Sequence, residues 1–90
     1  MGDEVKEIFL KVKVFWSPAA RKKNFEGEAE AVSSQNRLGR FDVLPGHANF
    51  ITLIFKDLTI HLKNKEKINF QFERGVLEVS ENKVNVFLGL

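Results

Sequence analysis

The sequence has no cysteine, no tyrosine, one tryptophan, one methionine and only two prolines in 90 residues. The lack of cysteine excludes disulfides and thiolate metal sites and fits a reducing compartment. With no tyrosine, the aromatic content rests on nine phenylalanines. Phenylalanine brings large apolar area and no polar atom to satisfy, so a few of them can fill a thin sandwich. A basic leader is also missing. The chain opens Met1-Gly2-Asp3-Glu4, acidic where a signal peptide needs positive charge. No long hydrophobic run is present either: the longest, Phe50 to Phe55, is far short of the ~20 residues that cross a bilayer. A soluble chain is therefore expected, without direct membrane insertion, though still able to dock on a membrane assembly. Charge of one sign is scarce. The net charge of +2 is too mild to argue for nucleic acid unless the basic residues cluster.

What is present is a period of two. Ile8, Leu10, Val12, Val14 and Trp16 alternate with Phe9, Lys11, Lys13 and Phe15, the pattern of a half-buried strand. Ser17-Pro18 stops it, because proline cannot donate to a ladder. Phe25 to Glu28 reads as a short strand with Gly27 at a bulge. Ala29 to Ser33 continues it, with Ala29 and Ala31 inward and Glu30 outward. Ser33 to Asn36 reads as a polar turn. Asn49 to Phe55 is β-rich with little alternation, as expected of a strand buried on both sides. Leu58, Ile60 and Leu62 form a further strand, with a turn at Asn64-Lys65-Glu66. Ile68, Phe70 and Phe72 follow, and Gly75 ends that run. Leu77 and Val79 are expected to pair across a Glu81-Asn82 turn with Val84 and Val86. No stretch has a helical period. The expectation is one all-β domain over 1–90, ordered over about 6–88, folded as a two-sheet sandwich or flattened barrel.

Three segments carry a resemblance. Gly39-Arg40-Phe41-Asp42-Val43-Leu44-Pro45-Gly46-His47-Ala48-Asn49 resembles the Gly-x-hydrophobic-Gly-hydrophobic-Leu-Pro-Gly-His-Ala-Pro segment of F-type ATP synthase epsilon subunits. Phe25-Glu26-Gly27-Glu28-Ala29 is similar to an upstream strand of that family. Gly75-Val76-Leu77-Glu78-Val79 through Val86 is similar to its closing hairpin. The resemblance runs from about Phe9 to Leu88 and implies the family's N-terminal β-sandwich, drawn there with ten strands. It stops before the helical hairpin with which the family continues. The inhibitory action and ATP site of that hairpin are expected to lie outside this sequence.

By the same resemblance the domain is a non-catalytic part of the central stalk. Its partners would be the gamma shaft and the c-ring, on the cytoplasmic side and peripheral to the inner face of the membrane. Arg37, Arg40, Phe41, Asp42 and His47 fall in the segment that would meet those partners. Gly39, Pro45 and Gly46 would shape its loop. Phe9 and Phe15, with Lys11 and Lys13 between them, are read either as a docking face for the shaft or as edge covering within the sandwich. The sequence departs from the family at Asp42 in place of glycine, at Asn49 in place of proline, and at Phe55-Lys56-Asp57 in place of Lys-Pro-Gly. Asp42 would be a poor substitute if its position required a positive φ.

Chemistry has few candidates. His47 with Asp42 is the one pair that suggests general-base work, but neither Ser33 nor Ser34 sits in a nucleophile motif. The plainer reading is that Gly46 makes a turn and His47 holds the loop through a backbone hydrogen bond. Two histidines, His47 and His61, without carboxylate spacing do not make a metal site. No enzyme activity, metal or cofactor is expected. Arg21-Lys22-Lys23 reads as a solvated loop. Lys11 and Lys13 beside Phe9 and Phe15, and Lys63, Lys65 and Lys67, are a faint basic-aromatic pattern. Acidic Glu26, Glu28 and Glu30 on neighbouring strands would blunt it as a nucleic-acid surface. Two alternatives to the rotor role are a free-standing interaction domain of the same fold and a nucleic-acid-binding barrel.

Overall fold

The structure, a computed structural model, describes residues 8–90. The start of order expected at residue 6 lies outside the described residues. Six strands follow one another: β1 (Leu10–Trp16), β2 (Phe25–Asn36), β3 (Gly39–Val43), β4 (Phe50–Leu62), β5 (Lys67–Ser80) and β6 (Lys83–Leu88). A 3₁₀ turn, Pro18–Ala20, follows β1 where Pro18 ends its ladder. The strand order is β1-β6-β5-β4-β2-β3, and an additional β1–β2 pairing closes the ring. All neighbours are antiparallel except β1 and β6, which run parallel. The result is a closed barrel flattened into two facing layers, so the expected all-β class holds. The ten strands that the resemblance implied are here six, because β2, β4 and β5 each serve both layers.

Those long strands turn the corner at bulges. In β2, Ala29 opposes Leu62 and Ala31 opposes His61, so Glu30 is the extra residue. In β5, Phe55 opposes Arg74 and Lys56 opposes Phe72, so Glu73 is extra. An extra residue shifts the period-two pattern by one, and with it the set of side chains that faces the core. β2 accordingly buries Ala29 and then Val32 and Ser34, leaving Ala31 only half-buried. β5 presents Ile68, Phe70 and Phe72, and then Gly75, Leu77 and Val79. Opposite the β5 bulge, Lys56 takes a left-handed φ of 76°, making the corner for which the family uses Lys-Pro-Gly.

Several sequence expectations are corrected by this geometry. The bulge in β2 lies at Glu30, not Gly27, whose regular partner is Val12. Gly27 instead leaves room for the Phe25 ring, whose tip would stand 2.9 Å from an added Cβ. Ser33–Asn36 is strand, and the turn falls at Arg37-Leu38. Gly75 does not end a strand but sits inside β5. The two runs expected at Asn49–Phe55 and Leu58–Leu62 are one strand. Ile51 and Leu53 are not buried on both sides, and Ile8 stands outside β1, 61% exposed. The turn at Glu81-Asn82, however, pairs Val79 with Val84 and Leu77 with Val86 as expected.

The core is aliphatic. Leu10, Val12, Val14, Val32, Ile54, Leu58, Ile60, Leu77, Val84, Val86 and Leu88 are fully or almost fully buried. No phenylalanine is, contrary to the idea that these rings fill the interior. A narrow barrel leaves little room for rings between its layers, so they flank the aliphatic centre. Trp16 and Phe25 pack on Phe70, with centroids 6.4 and 6.3 Å away. Elsewhere Phe41 meets Phe50 edge-on at 5.9 Å. Among the described residues, no helix is long and apolar enough to cross a membrane.

Candidate docking surface

The β3–β4 loop is built from a turn and three clamps. Gly46 takes φ 86°, which suits glycine, and the His47 N–H donates to the Leu44 carbonyl at 3.0 Å. The Gly46 N–H donates to Asn82 Oδ1 at 2.7 Å. Asn49 binds Glu81 twice: its Oδ1 accepts from the Glu81 N–H at 2.9 Å and its amide donates to the carboxylate at 3.2 Å. A proline at position 49 has no side-chain amide for either bond. Glu81 and Asn82 hold left-handed φ values of 50° and 62°, as a two-residue hairpin turn requires. The loop and the β5–β6 turn therefore brace each other.

His47 Nδ1 donates to the Ala48 carbonyl at 2.7 Å, and its ring lies 4.9 Å from that of Phe50. These contacts hold the loop against the Phe41–Phe50 cluster. Replacing His47 with alanine is expected to cost about 0.5–1 kcal/mol and lower the melting temperature by a few degrees. Unchanged melting would leave His47 no part in holding the loop.

Asp42 has no positive φ, so the glycine of the family is not needed for conformation at this position. Its carboxylate accepts the Ser33 hydroxyl at 2.6 Å, and Ser33 Oγ lies 2.9 Å from His61 Nε2. The sequence paired Asp42 with His47; the sheet register instead gathers Asp42, Ser33 and His61 from β3, β2 and β4. With its one proton directed at Asp42, Ser33 accepts from His61 Nε2–H. That polarity is opposite to the one in which histidine activates a serine.

Arg40 is held in a fork by Asp57, at 3.1 and 3.3 Å, and Gln35 also donates to Asp57. Its guanidinium is committed to β4. Arg37 stands exposed at the β2–β3 tip beside Leu38, which is 97% exposed. Gly39 closes this tip at φ 119°. Phe9 and Phe15 lie on opposite sides of Lys11 and Lys13. Phe9 sits under the Lys63 ammonium, 4.2 Å from its ring centroid. Between the two rings, Lys11 and Lys13 face Glu28 and Glu26 across the β1–β2 ladder. Lys63 and Lys65 pair with Glu28 and Glu30. On this face the basic and acidic side chains interleave rather than present one sign.

Of the apolar row that the sheet order assembles, the sequence reading singled out Phe15 alone. On the outward side of one layer, Leu53 of β4 opposes Val76 of β5, and Val76 opposes Phe87 of β6. Phe87 in turn opposes Phe15 of β1, and their rings stack at 5.4 Å. This row crosses four strands, with Leu53 54% and Phe87 40% exposed. Ile51, 66% exposed, widens it, and Phe55 flanks it on the same side of β4. Arg74, Lys13 and Glu78 form a charged rim. The signal was the lack of alternation in Phe50–Phe55, which marks a strand with apolar residues on both faces without showing that the outer face lies open.

The family described as "ATP synthase, Delta/Epsilon chain, beta-sandwich domain" matches residues 18–88. The epsilon chain of ATP synthase from Geobacter sulfurreducens is 31% identical over 67 residues, which is 74% of this chain and 49% of that one. The epsilon chain from Corynebacterium aurimucosum is 28% identical over 88 residues, 96% of this chain and 65% of that one. The chain thus spans between about half and two thirds of the length of these curated relatives. Among solved structures, a chain of the Euglena gracilis mitochondrial ATP synthase (OSCP/F1/c-ring) superposes with a TM-score of 0.79 at 14% identity, over 97% of this chain and 54% of that one. A chain of the Tetrahymena thermophila mitochondrial ATP synthase central stalk and c-ring gives 0.69 at 12% identity, over 93% of this chain and 66% of that one. With the family match covering most of the sequence, and the closed barrel and braced loop in place, the chain belongs to the β-sandwich domain family of ATP synthase delta/epsilon chains.

Proposed function

We propose that this chain is a non-catalytic central-stalk part of a proton-translocating F-type ATP synthase, joining the gamma shaft to the c-ring. The observation that carries this reading is the open apolar row Leu53–Val76–Phe87–Phe15 on a domain of this family. An exposed apolar strip with a charged rim is what a stable protein contact needs. The row would seat the shaft. The β2–β3 tip, with Arg37 and Leu38, would face the ring. Arg40, Phe41, Asp42 and His47 would act behind it by holding tip and loop in place. A barrel whose six strands are joined in sequence and closed by the β1–β2 pairing shears poorly. It would pass torque as a rigid wedge and perform no chemistry. On this reading the chain is peripheral to the inner face of the membrane, on the cytoplasmic side.

Co-purification with the gamma subunit and c-ring of the same organism tests this. A stoichiometric complex is expected at micromolar concentrations. A folded domain that forms no complex would instead favour an interaction domain working outside the synthase.

A further inference from the structure

β4 pairs with β5 from Phe50 to His61 but with β2 only from Leu58 to Leu62. Its first half therefore has a strand on one side and none on the other. Ser34 Oγ donates to the Asp57 carbonyl at 2.7 Å, where the β2 ladder stops. Beyond that point the flank opens into a cleft of about 420 Å³, lined by Asn36, Arg37, Leu38, Ile51, Thr52 and Leu53. Proteins usually guard such edges with lysine, proline or a bulge. From Phe50 to Phe55 this edge has no charge and no proline. The nearest irregularity, Lys56, comes after it.

From this edge we infer that the chain self-associates, two copies joining their β4 strands antiparallel about a two-fold axis at Leu53. The backbone row selects an extended strand as the occupant, since only a strand can satisfy alternating N–H and C=O groups along an edge. Self-complementarity selects a second copy. For the layers to continue in register, facing residues must share an outward or inward side. A two-fold axis at Leu53 meets this condition and sets Leu53 against Leu53 and Ile51 against Phe55. Each outward apolar residue then meets another. Lys56 would oppose Phe50 and Asp57 would oppose Asn49, so no like charges meet. A two-fold axis at Thr52 would instead set Asn49 against Phe55. The proposed pairing joins two apolar rows into one surface and is independent of the rotor reading.

So short a contact falls below the roughly 1,200 Å² of standard interfaces, so a reversible dimer is expected with a Kd of about 100 µM. Sedimentation velocity of the chain over a concentration series measures it. Leu53→Lys and Leu53→Glu should each abolish the dimer while leaving the melting curve close to that of the parent, because residue 53 points outward. An equimolar mixture of the two variants should restore it, since the opposite charges then face each other at the axis. A parent chain that stays monomeric at several times that concentration would overturn the proposal. So would a dimer that persists in either variant, or a mixture that fails to reassociate. Binding of the gamma subunit by a strictly monomeric chain would leave the rotor reading standing and remove only this one.

Discussion

Gly75→Ala is expected to cost the domain about 2–3 kcal/mol and to lower its melting temperature by about 8–20 °C. Gly75 is buried in the middle of β5, opposite Ile54 on one side and Leu88 on the other. A Cβ at this position would stand 2.7 Å from the Phe87 carbonyl oxygen and 2.8 Å from Leu88 Cδ2, with Ile54 Cγ1 at 3.3 Å. The first of these is backbone, fixed by the β5–β6 ladder and by the parallel pairing of β6 with β1. Relief therefore requires β6 to move, and with it the parallel β1–β6 pairing. Gly27→Ala provides the contrast. Its added Cβ would meet the end of the half-buried Phe25 ring at 2.9 Å, and that ring can swing. A loss below about 1 kcal/mol is expected there. Thermal melts of the two variants beside the parent decide it. Equal losses, or a milder effect at Gly75, would show that β6 yields more readily than the closed ring implies.

The two glycines also show what could be read from the residues. Alternation in Leu10–Trp16 and in Leu77–Val86 placed β1, the last hairpin and its turn correctly, because those stretches keep one register from end to end. The middle of the chain was harder. β2 and β5 each carry one extra residue, at Glu30 and Glu73, and nothing in a glutamate marks it as the unpaired member of a bulge. After each of them the period-two pattern resumes on the other side, so one long strand reads as two short ones. Gly27 and Gly75 drew attention as breaks, although both serve close packing inside regular pairing. The loop was legible through Pro45, Gly46 and His47. Its clamps were not, because Asn49 and Asn82 act only once the β3–β4 loop and the β5–β6 turn lie side by side. The apolar row was hidden for the same reason: Leu53, Val76, Phe87 and Phe15 are scattered along the chain and become neighbours only through sheet order.

That row carries the second large effect. Val76→Lys should weaken binding to the gamma subunit by at least about 30-fold, equivalent to about 2 kcal/mol. Val76 lies in the middle of the row, between Leu53 and Phe87, and is half-buried by them. A lysine there adds positive charge beside Arg74 and Lys13, at the point where a partner would be most fully dried. The free domain has less to lose, since the side chain points away from the core and the lysine stem can lie along the sheet. Its melting temperature should fall by no more than about 5 °C. Lys67→Ala, at the exposed start of β5, serves as the comparison and should shift affinity less than about threefold. Calorimetric titration of each variant with the gamma subunit gives the ratio. If Val76→Lys binds like the parent while remaining folded, the shaft does not sit on this row. The dock would then have to be sought at the braced loop around His47 and Asn49, where Leu44 stands 56% exposed beside polar side chains hydrogen-bonded to the domain itself.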